Sequence, residues 1–331
     1  MFTYQKQLKK HFIDVLALAE LEKSVYTGFY TTVTNFSSDK MGFDNLQAGA
    51  LRPWDGTGSY YEEPHLASFL GRVNYTYADR YVLTVNARTD ASSKFGANHK
   101  WGFFPSVSAA WNITSEKFMR RLSWIDNLKL RVGYGLAGNQ GGIDSYTTMN
   151  LVRPNGVAPV GNSPVVTYET LRNINPDLKW EVKHTFNAGL DVGLYGNRLL
   201  LSVNYYNSKT TDMLYNYRVS VPPFTYNTLL ANIGSMRNSG TEISVGITPL
   251  KTKDMELNIN ANITFQKNKL LSLSGMYNGE YVSASEYTVI AGLNGAGFHG
   301  GYNNIVYQIV GQPLGVFYLP HCTGLVPDGN G

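Results

Sequence analysis

What most constrains this chain is a rhythm: strand-like runs joined by connections that are alternately short and long. Residues 81–89 show one run. Tyr81, Leu83, Val85 and Ala87 fall on one face, and Thr84, Asn86 and Arg88 on the other, because successive side chains of a strand alternate between faces. Phe69, Val73, Tyr75 and Tyr77 oppose Ser68, Arg72, Asn74 and Thr76 in the same way. Leu257, Ile259, Ala261, Ile263 and Phe265 oppose Asn258, Asn260, Asn262, Thr264 and Gln266. The pattern predicts strands over 2–7, 12–25, 66–77, 81–90, 102–113, 127–137, 179–194, 199–212, 239–248 and 256–266. The run at 12–25 does not show which of its faces is apolar. One apolar and one polar face fits a soluble half-buried sheet, and it equally fits a membrane barrel with lipid outside and water inside.

The connections separate these two folds. Segments 8–11, 78–80, 195–198 and 249–255 are tight and polar, and 114–126 is compact. Between them come 26–65, 91–101, 138–178, 213–238 and the stretch from 267 onward, rich in Gly, Pro, Asn and Tyr. Long connections gathered at one end are the pattern of an up-and-down outer-membrane barrel with short periplasmic turns and long outer loops. Tyr75, Tyr77, Tyr81, Trp111 and Tyr195 lie beside the expected periplasmic turns, and Trp101, Phe103, Trp180 and Tyr205 near the other rim. Membrane interfaces favour such amphipathic rings, although strands favour aromatics in any setting.

Composition agrees. Charged residues make up 16% of the chain, against about 25% in ordinary soluble domains. Asn is frequent inside the strand runs, where soluble sheets deplete it and a wet lumen accommodates it. The net charge of +4 is modest, and the densest basic stretch, Lys6 to Lys10, is too short for nucleic-acid binding. A single cysteine, Cys322, excludes an internal disulfide framework and a Cys-based zinc cluster. No run approaches the ~18 apolar residues of a membrane helix, which leaves a barrel open. Met1 to Gln5 already read as strand with no signal peptide, and Pro327 to Gly331 end in a turn signal. The chain therefore reads as an internal part of a larger protein.

Catalytic motifs are not evident. Gly133-Tyr134-Gly135-Leu136-Ala137-Gly138 fits a dinucleotide template, but that site needs a helix to follow, and Asn139-Gln140-Gly141-Gly142 reads as a loop. Glycines that let a strand bend are the competing reading. The six histidines are scattered without metal-ligand spacing, and no G-x-S-x-G elbow is present. Asp328-Gly329-Asn330-Gly331 reads as a hairpin turn rather than the opening of a calcium loop. No catalytic residue, metal or cofactor is expected. The ligand-binding candidates are aromatics of the long connections: Trp54, Tyr60, Tyr61, Tyr146, Tyr168, Phe224 and Tyr226. Sugars bind by stacking on such rings with neutral polar groups nearby; the same rings also pack loops against each other. Arg72, Arg88, Lys129, Arg131, Glu181 and Asp191 are expected to face the lumen, setting selectivity or pairing with one another.

Several segments together resemble the SusC/RagA-like TonB-linked outer-membrane transporters. They are Arg72-Val73-Asn74-Tyr75 with Tyr81-Val82-Leu83-Thr84, then Arg88 to Gly96, Trp101 to Trp111, and Leu128 to Gly135 ending in Gly138-Asn139-Gln140. Asn175-Pro176-Asp177-Leu178-Lys179-Trp180-Glu181 and Asn232 to Glu242 follow in the same order. The resemblance is strongest over 66–270. It implies an all-β, antiparallel up-and-down transmembrane β-barrel of roughly 22 strands with a plug inside. About ten of those strands would lie here, as a partial barrel domain over 1–331 without the plug or the final strands. It also implies energy coupling to the TonB complex through the plug, a SusD-like surface lipoprotein as lid, contact with outer-membrane lipid, and oligosaccharide or peptide substrates. A passive porin would share the strand rhythm without a plug. A barrel enzyme would need a nucleophile and base converging on its surface. A soluble carbohydrate-binding β protein would bury its apolar faces in a dry core, whereas the barrel reading predicts an open, curled sheet with its apolar face exposed.

Overall fold

The computed structural model describes residues 1–53, 56–284, 287–292, 304–319, 321 and 324. Ten strands form one antiparallel sheet in sequence order. They are β1 (Phe2–Leu8), β2 (His11–Lys23), β3 (His65–Tyr77), β4 (Tyr81–Ser92) and β5 (Trp101–Asn112). After them come β6 (Ile125–Asn139), β7 (Glu181–Leu194), β8 (Leu199–Arg218), β9 (Thr228–Lys251) and β10 (Glu256–Ser272). Each neighbour pair is a hairpin, and the sheet does not close on itself. Among the described residues no helix is long and apolar enough to cross a membrane, which says nothing of a barrel.

Register turns the alternation into two coherent faces. Val15, Val73, Val85, Val107, Tyr134 and Phe186 stand opposite one another across β2 to β7. One residue along, Asp14, Asn74, Thr84, Ser108, Gly133, Asn187, Tyr206, Gly240 and Gln266 form a polar row from β2 to β10. The apolar row is the exposed one: Tyr81, Leu83 and Val85 keep 46%, 42% and 46% of their surface, while Thr84, Asn86 and Arg88 are half-buried. A soluble sandwich would have the opposite sense. The ambiguity of the 12–25 run also resolves. Ile13, Val15, Ala17, Ala19 and Leu21 share the exposed face, and it is Phe12, Leu16 and Leu18 on the polar side that blur the pattern.

Aromatics mark both edges of the apolar face. Tyr77, Tyr81 and Trp111 stack in line, with ring centroids 6.5 and 6.3 Å apart, and Trp124 stacks on Tyr195. At the other edge Phe69 stacks on Trp101 at 6.1 Å. Trp101 and Trp111 end the same strand, and about ten residues at ~3.3 Å each, tilted ~40°, span ~25 Å, the height of a barrel's apolar band.

The short turns rest on left-handed backbone. Ala78 and Asp79 have φ of 53° and 55°, and Tyr195, Gly196 and Asn197 have 57°, 70° and 58°; positive φ matches a tight hairpin to the twist of its strands. The long connections are shorter than expected. Residues 213–238, read as loop, are mostly strand: β8 runs to Arg218 and β9 starts at Thr228. β10 likewise continues to Ser272. Strict alternation is enforced only where the two faces meet different surroundings; at the start of β9 both faces are covered, and Leu229 to Ile233 are all buried or half-buried. Two of the remaining long connections carry hairpins, Tyr26–Thr31 with Thr57–Glu62 and Val152–Val160 with Ser163–Thr170. The buried core lies at this long-loop end, in Phe95, Phe104, Ile143, Leu178 and Trp180, with a second cluster at Tyr217, Ala231 and Val282.

Candidate functional site

The polar face is a lattice of neutralised charge. Arg131 donates from Nε and Nη2 to both oxygens of Asp191, at 2.7 and 2.8 Å, and from Nη2 to the side-chain oxygen of Asn204 at 2.8 Å. Ser202 donates to the same carboxylate at 2.8 Å. Gly189 makes this possible: a Cβ there would meet Asn204 Oδ1 at 2.6 Å and Arg131 Nη2 at 2.9 Å. Further along, Arg88 donates to Asp90 at 2.8 Å and to Ser68 at 3.0 Å. Asp14 accepts from Asn74, whose own oxygen accepts from Thr84. Glu181 accepts from Asn139 at 2.6 Å and from the Leu214 backbone N–H at 2.7 Å. Lys129 stands opposite Asp191 in register. Arg72, between Leu16 and Asn86, has no ion pair among the described residues. Of the six expected lumen residues, Arg88, Arg131 and Asp191 sit in ion pairs, Lys129 stands beside one, and Glu181 is held by hydrogen bonds alone. Lys129 and Arg131 also line a hollow of about 790 Å³ with Asn187, Tyr206 and Glu242.

The glycine-rich run lies within β6 rather than at a strand–helix junction, so the dinucleotide reading lapses. Gly135 lies against Ser106 and Gly138 against the Phe104 ring, where a Cβ would collide. These glycines serve close approach of neighbours.

At the long-loop end a brace holds the connections, and the sequence motifs that resemble the transporter family meet in it. Trp180 packs on Phe95 and edge-on against Phe104, with centroids 4.7 and 5.5 Å away, and donates its indole N–H to the Lys100 carbonyl at 3.1 Å. Lys94 Nζ donates to the Ile143 carbonyl at 3.0 Å. Gly96 faces the Pro176 backbone so closely that any Cβ would strike its carbonyl oxygen. Three asparagines stitch segment 171–180 to β8 and β9. Asn173 receives the Thr225 and Tyr226 N–H groups and donates to the Thr228 carbonyl. Asn175 donates to the Leu230 carbonyl at 2.8 Å. Asn232 accepts from the Lys179 N–H and donates to the Lys179 and Asp212 carbonyls. Sequence reasoning used Asn175 and Asn232 only as marks of resemblance and missed Asn173. Two polar amides flanking one residue just before Pro176 are the available signal, because buried side-chain amides take up backbone groups that lack ladder partners.

The loop aromatics divide into groups. Tyr61 and Tyr146 come together on Glu63: the Tyr61 hydroxyl donates to its carboxylate, and the Glu63 backbone N–H donates to the Tyr146 oxygen at 3.1 Å. Lys23 and His65 reach the same carboxylate at 2.7 and 2.9 Å, and Ser145 donates to the neighbouring Glu62 at 2.8 Å. The Lys23 contact, followed by Tyr61 and His65, pulls the Glu63 carboxyl down to about 2. Tyr60 covers Gly28, its partner across the hairpin. Tyr226 is half-buried and held through its backbone by Asn173, as is its neighbourhood around half-buried Phe224. Tyr168 is 64% exposed on the 152–170 hairpin, where Arg153 pairs with Glu169 at 2.6 Å and also touches Tyr226. Trp54 and the Asp328 turn lie outside the described residues. Among the described residues no group of His, Cys, Asp and Glu is arranged to hold a metal.

Residues 5–330 match the family model of the TonB dependent receptor-like β-barrel. The chain belongs to the TonB-dependent receptor β-barrel family. TonB-dependent receptor P26 of Formosa agariphila is 35% identical over 281 residues, covering 82% of this chain and 27% of that protein. TonB-dependent receptor SusC of Bacteroides thetaiotaomicron is 34% identical, covering 69% of this chain and 24% of SusC. Among solved structures, the RagAB peptide transporter superposes with a TM-score of 0.72 at 25% identity, over 95% of this chain and 32% of that one. The chain thus spans about a quarter of the length of these curated relatives. The family is one of receptors and transporters, and its members are outer-membrane β-barrel proteins. The resemblance to SusC and RagA read from the motifs is therefore correct.

Proposed function

We propose that this chain is part of the wall and outer loops of a transporter that imports large nutrients, oligosaccharides or peptides, across the outer membrane. The observation that carries the reading is the inverted sheet, apolar where exposed and polar where sheltered, inside a TonB-dependent receptor match over residues 5–330. The plug, the remaining strands and the segment that contacts TonB belong to the rest of the protein. In this reading Arg72, Arg88, Lys129, Arg131, Glu181 and Asp191 line the lumen. The pairing of Arg88 with Asp90 and of Arg131 with Asp191 lowers the charge that the wall presents to the plug, which helps to release it when TonB pulls.

Substrate capture falls to the loop aromatics under a SusD-like lipoprotein lid. Tyr60, Tyr61, Tyr146, Tyr168, Phe224 and Tyr226 supply ring faces, and the surrounding Asn and Ser side chains satisfy hydroxyls or peptide groups. Trp54 is assigned to the same set from its place in the sequence. No bond is made or broken, so no residue has a catalytic part. A passive porin shares the wall, but the family match favours energised import.

The test is uptake of labelled oligosaccharide and oligopeptide mixtures by cells carrying the full-length gene, with and without TonB. Uptake of one mixture that is lost without TonB is the expected result. Uptake that persists without TonB makes the protein a passive channel, and no uptake of either mixture overturns the import of large nutrients.

A further inference from the structure

The exposed face is not uniform at its long-loop edge. From β7 to β10 its rows run regularly upward from the short-turn end. Leu194, Leu199, Ile247 and Ile259 lie lowest, Leu190, Val203, Ile243 and Ile263 two rows higher. Ala188, Tyr205, Thr241 and Phe265 come next. Two rows above, the same face carries His184, Lys209, Arg237 and Lys269 side by side on four adjacent strands. Lys267 flanks them one row below. Strands lie ~4.8 Å apart, so three fixed cations and a histidine fall within ~15 Å.

Like charges directly opposite on neighbouring strands repel, and here no carboxylate relieves them. Lys209, Arg237, Lys267 and Lys269 are exposed, and none has an acidic partner among the described residues. His184 is engaged by the Tyr134 hydroxyl at 3.0 Å. At the same edge of the first half of the wall, the basic residues Lys23 and His65 are both neutralised by Glu63. A row of unmatched cations directly above an apolar band is complementary to a lipid whose acyl chains cover the band and whose anionic head sits at the row.

We infer that His184, Lys209, Arg237 and Lys269 form a binding strip for the phosphate groups of an anionic lipid in the outer leaflet. The strip rests on the outer-membrane reading, but it assigns a specific site on four adjacent strands of the wall rather than general lipid contact. Arg237 and the two lysines are the phosphate contacts, and His184 adds a hydrogen-bond donor at the end of the row. A lipid held there fixes the height of β7 to β10 relative to the bilayer, and with it the platform under the 219–227 loop.

The full-length protein, placed in phosphatidylcholine nanodiscs, tests this with three probes: a diphosphorylated glycolipid, the same lipid stripped of phosphate, and inorganic phosphate. The wild type is expected to retain the phosphorylated lipid in native mass spectrometry and to prefer it to the stripped form by roughly 150-fold, from three near-surface cations. Lys209→Gln, Arg237→Gln and Lys269→Gln combined should abolish that preference. Lys209→Arg with Lys269→Arg should keep it, which separates charge from folding. Lys183→Gln, one residue from His184 but on the polar face, should leave it unchanged. Equal retention by the triple variant overturns the strip, and displacement of the lipid by inorganic phosphate alone overturns a lipid as its occupant. A wild-type protein that fails to enter the nanodiscs overturns the membrane reading itself.

Discussion

The two ends of this wall are ordered by different physics. At the short-turn end, order is local: a few left-handed residues reverse the chain. There the compact 113–124 connection is tied down through Glu116, which accepts from Tyr81 at 2.7 Å, Trp111 at 3.2 Å and Arg80 at 3.1 Å. At the long-loop end, order is tertiary. Segments far apart in sequence, 94–104, 143 and 173–180, share one dry cluster, and three asparagines bond backbone more than fifty residues away. A long loop needs a fixed base, and local turn chemistry cannot supply one over such lengths.

The largest expected effect follows at the long-loop end. Trp180→Ala removes the ring that joins Phe95 to Phe104 and leaves the Lys100 carbonyl without its donor. It should weaken the brace by about 3–5 kcal/mol, the usual cost of removing a large buried aromatic. Gly96→Ala should loosen the same contact by forcing the Pro176 carbonyl aside. Hydrogen exchange in the full-length protein should rise over 93–100 and 171–180 and stay unchanged at the turns 78–80 and 195–198. Loss of protection at both ends alike would show that the wall is one cooperative unit and erase the contrast.

Next in size is Asn232→Ala, which strands the Lys179 N–H and two carbonyls. An unmet half-buried backbone group costs roughly 1–3 kcal/mol. Denaturation in detergent should register this as a lower midpoint. Asn232→Asp, which keeps the acceptor and loses the donor, should fall between. A midpoint unmoved by Asn232→Ala would mean that water replaces the amide and that the brace is apolar packing alone.

Gly196→Ala probes the other end. With φ at 70°, an alanine there should cost ~1–2 kcal/mol, and the damage should stay between β7 and β8. Spread of the effect into the brace would break the division between local and tertiary order.

That division also explains what could be read from the sequence. All ten sheet strands were legible, because one apolar and one polar face impose alternation on most of them, with the 12–25 run the blurred one. Turns such as Ala78-Asp79-Arg80 were legible from their brevity. The upper end of β9 was not, since Leu229 to Ile233 are buried or half-buried on both faces and show no alternation. Glu63, the meeting point of Tyr61 and Tyr146, was illegible for another reason. Its partners, Lys23 at the end of β2 and Tyr146 in the 138–178 connection, are far from it in sequence, and nothing local distinguishes it from Glu62. Of the polar-face residues, placement followed from parity alone, but the bidentate pairing of Arg131 with Asp191 needed the register of β6 against β7.

The smallest expected effect is a titration at Glu63. Its folded pKa of about 2 lies below the ordinary 4.5, so the unfolded chain binds the proton first. The contact therefore adds stability that is complete above about pH 4.5 and is lost as pH falls toward 2. The site is open to solvent, so screening keeps the effect small. Exchange protection in the 57–62 strand should drop between pH 4.5 and pH 3, and Glu63→Gln should remove that pH dependence by holding the loop in its loosened state throughout. Glu116, also held below its ordinary value, chiefly by the Tyr81 hydroxyl, provides the paired measurement at the other end. Acidification there should leave the 78–80 turn in place, because its left-handed residues and backbone bonds persist without the carboxylate. A turn that opened in step with the 57–62 strand would mean that side-chain charge, and not local backbone, also orders the short-turn end.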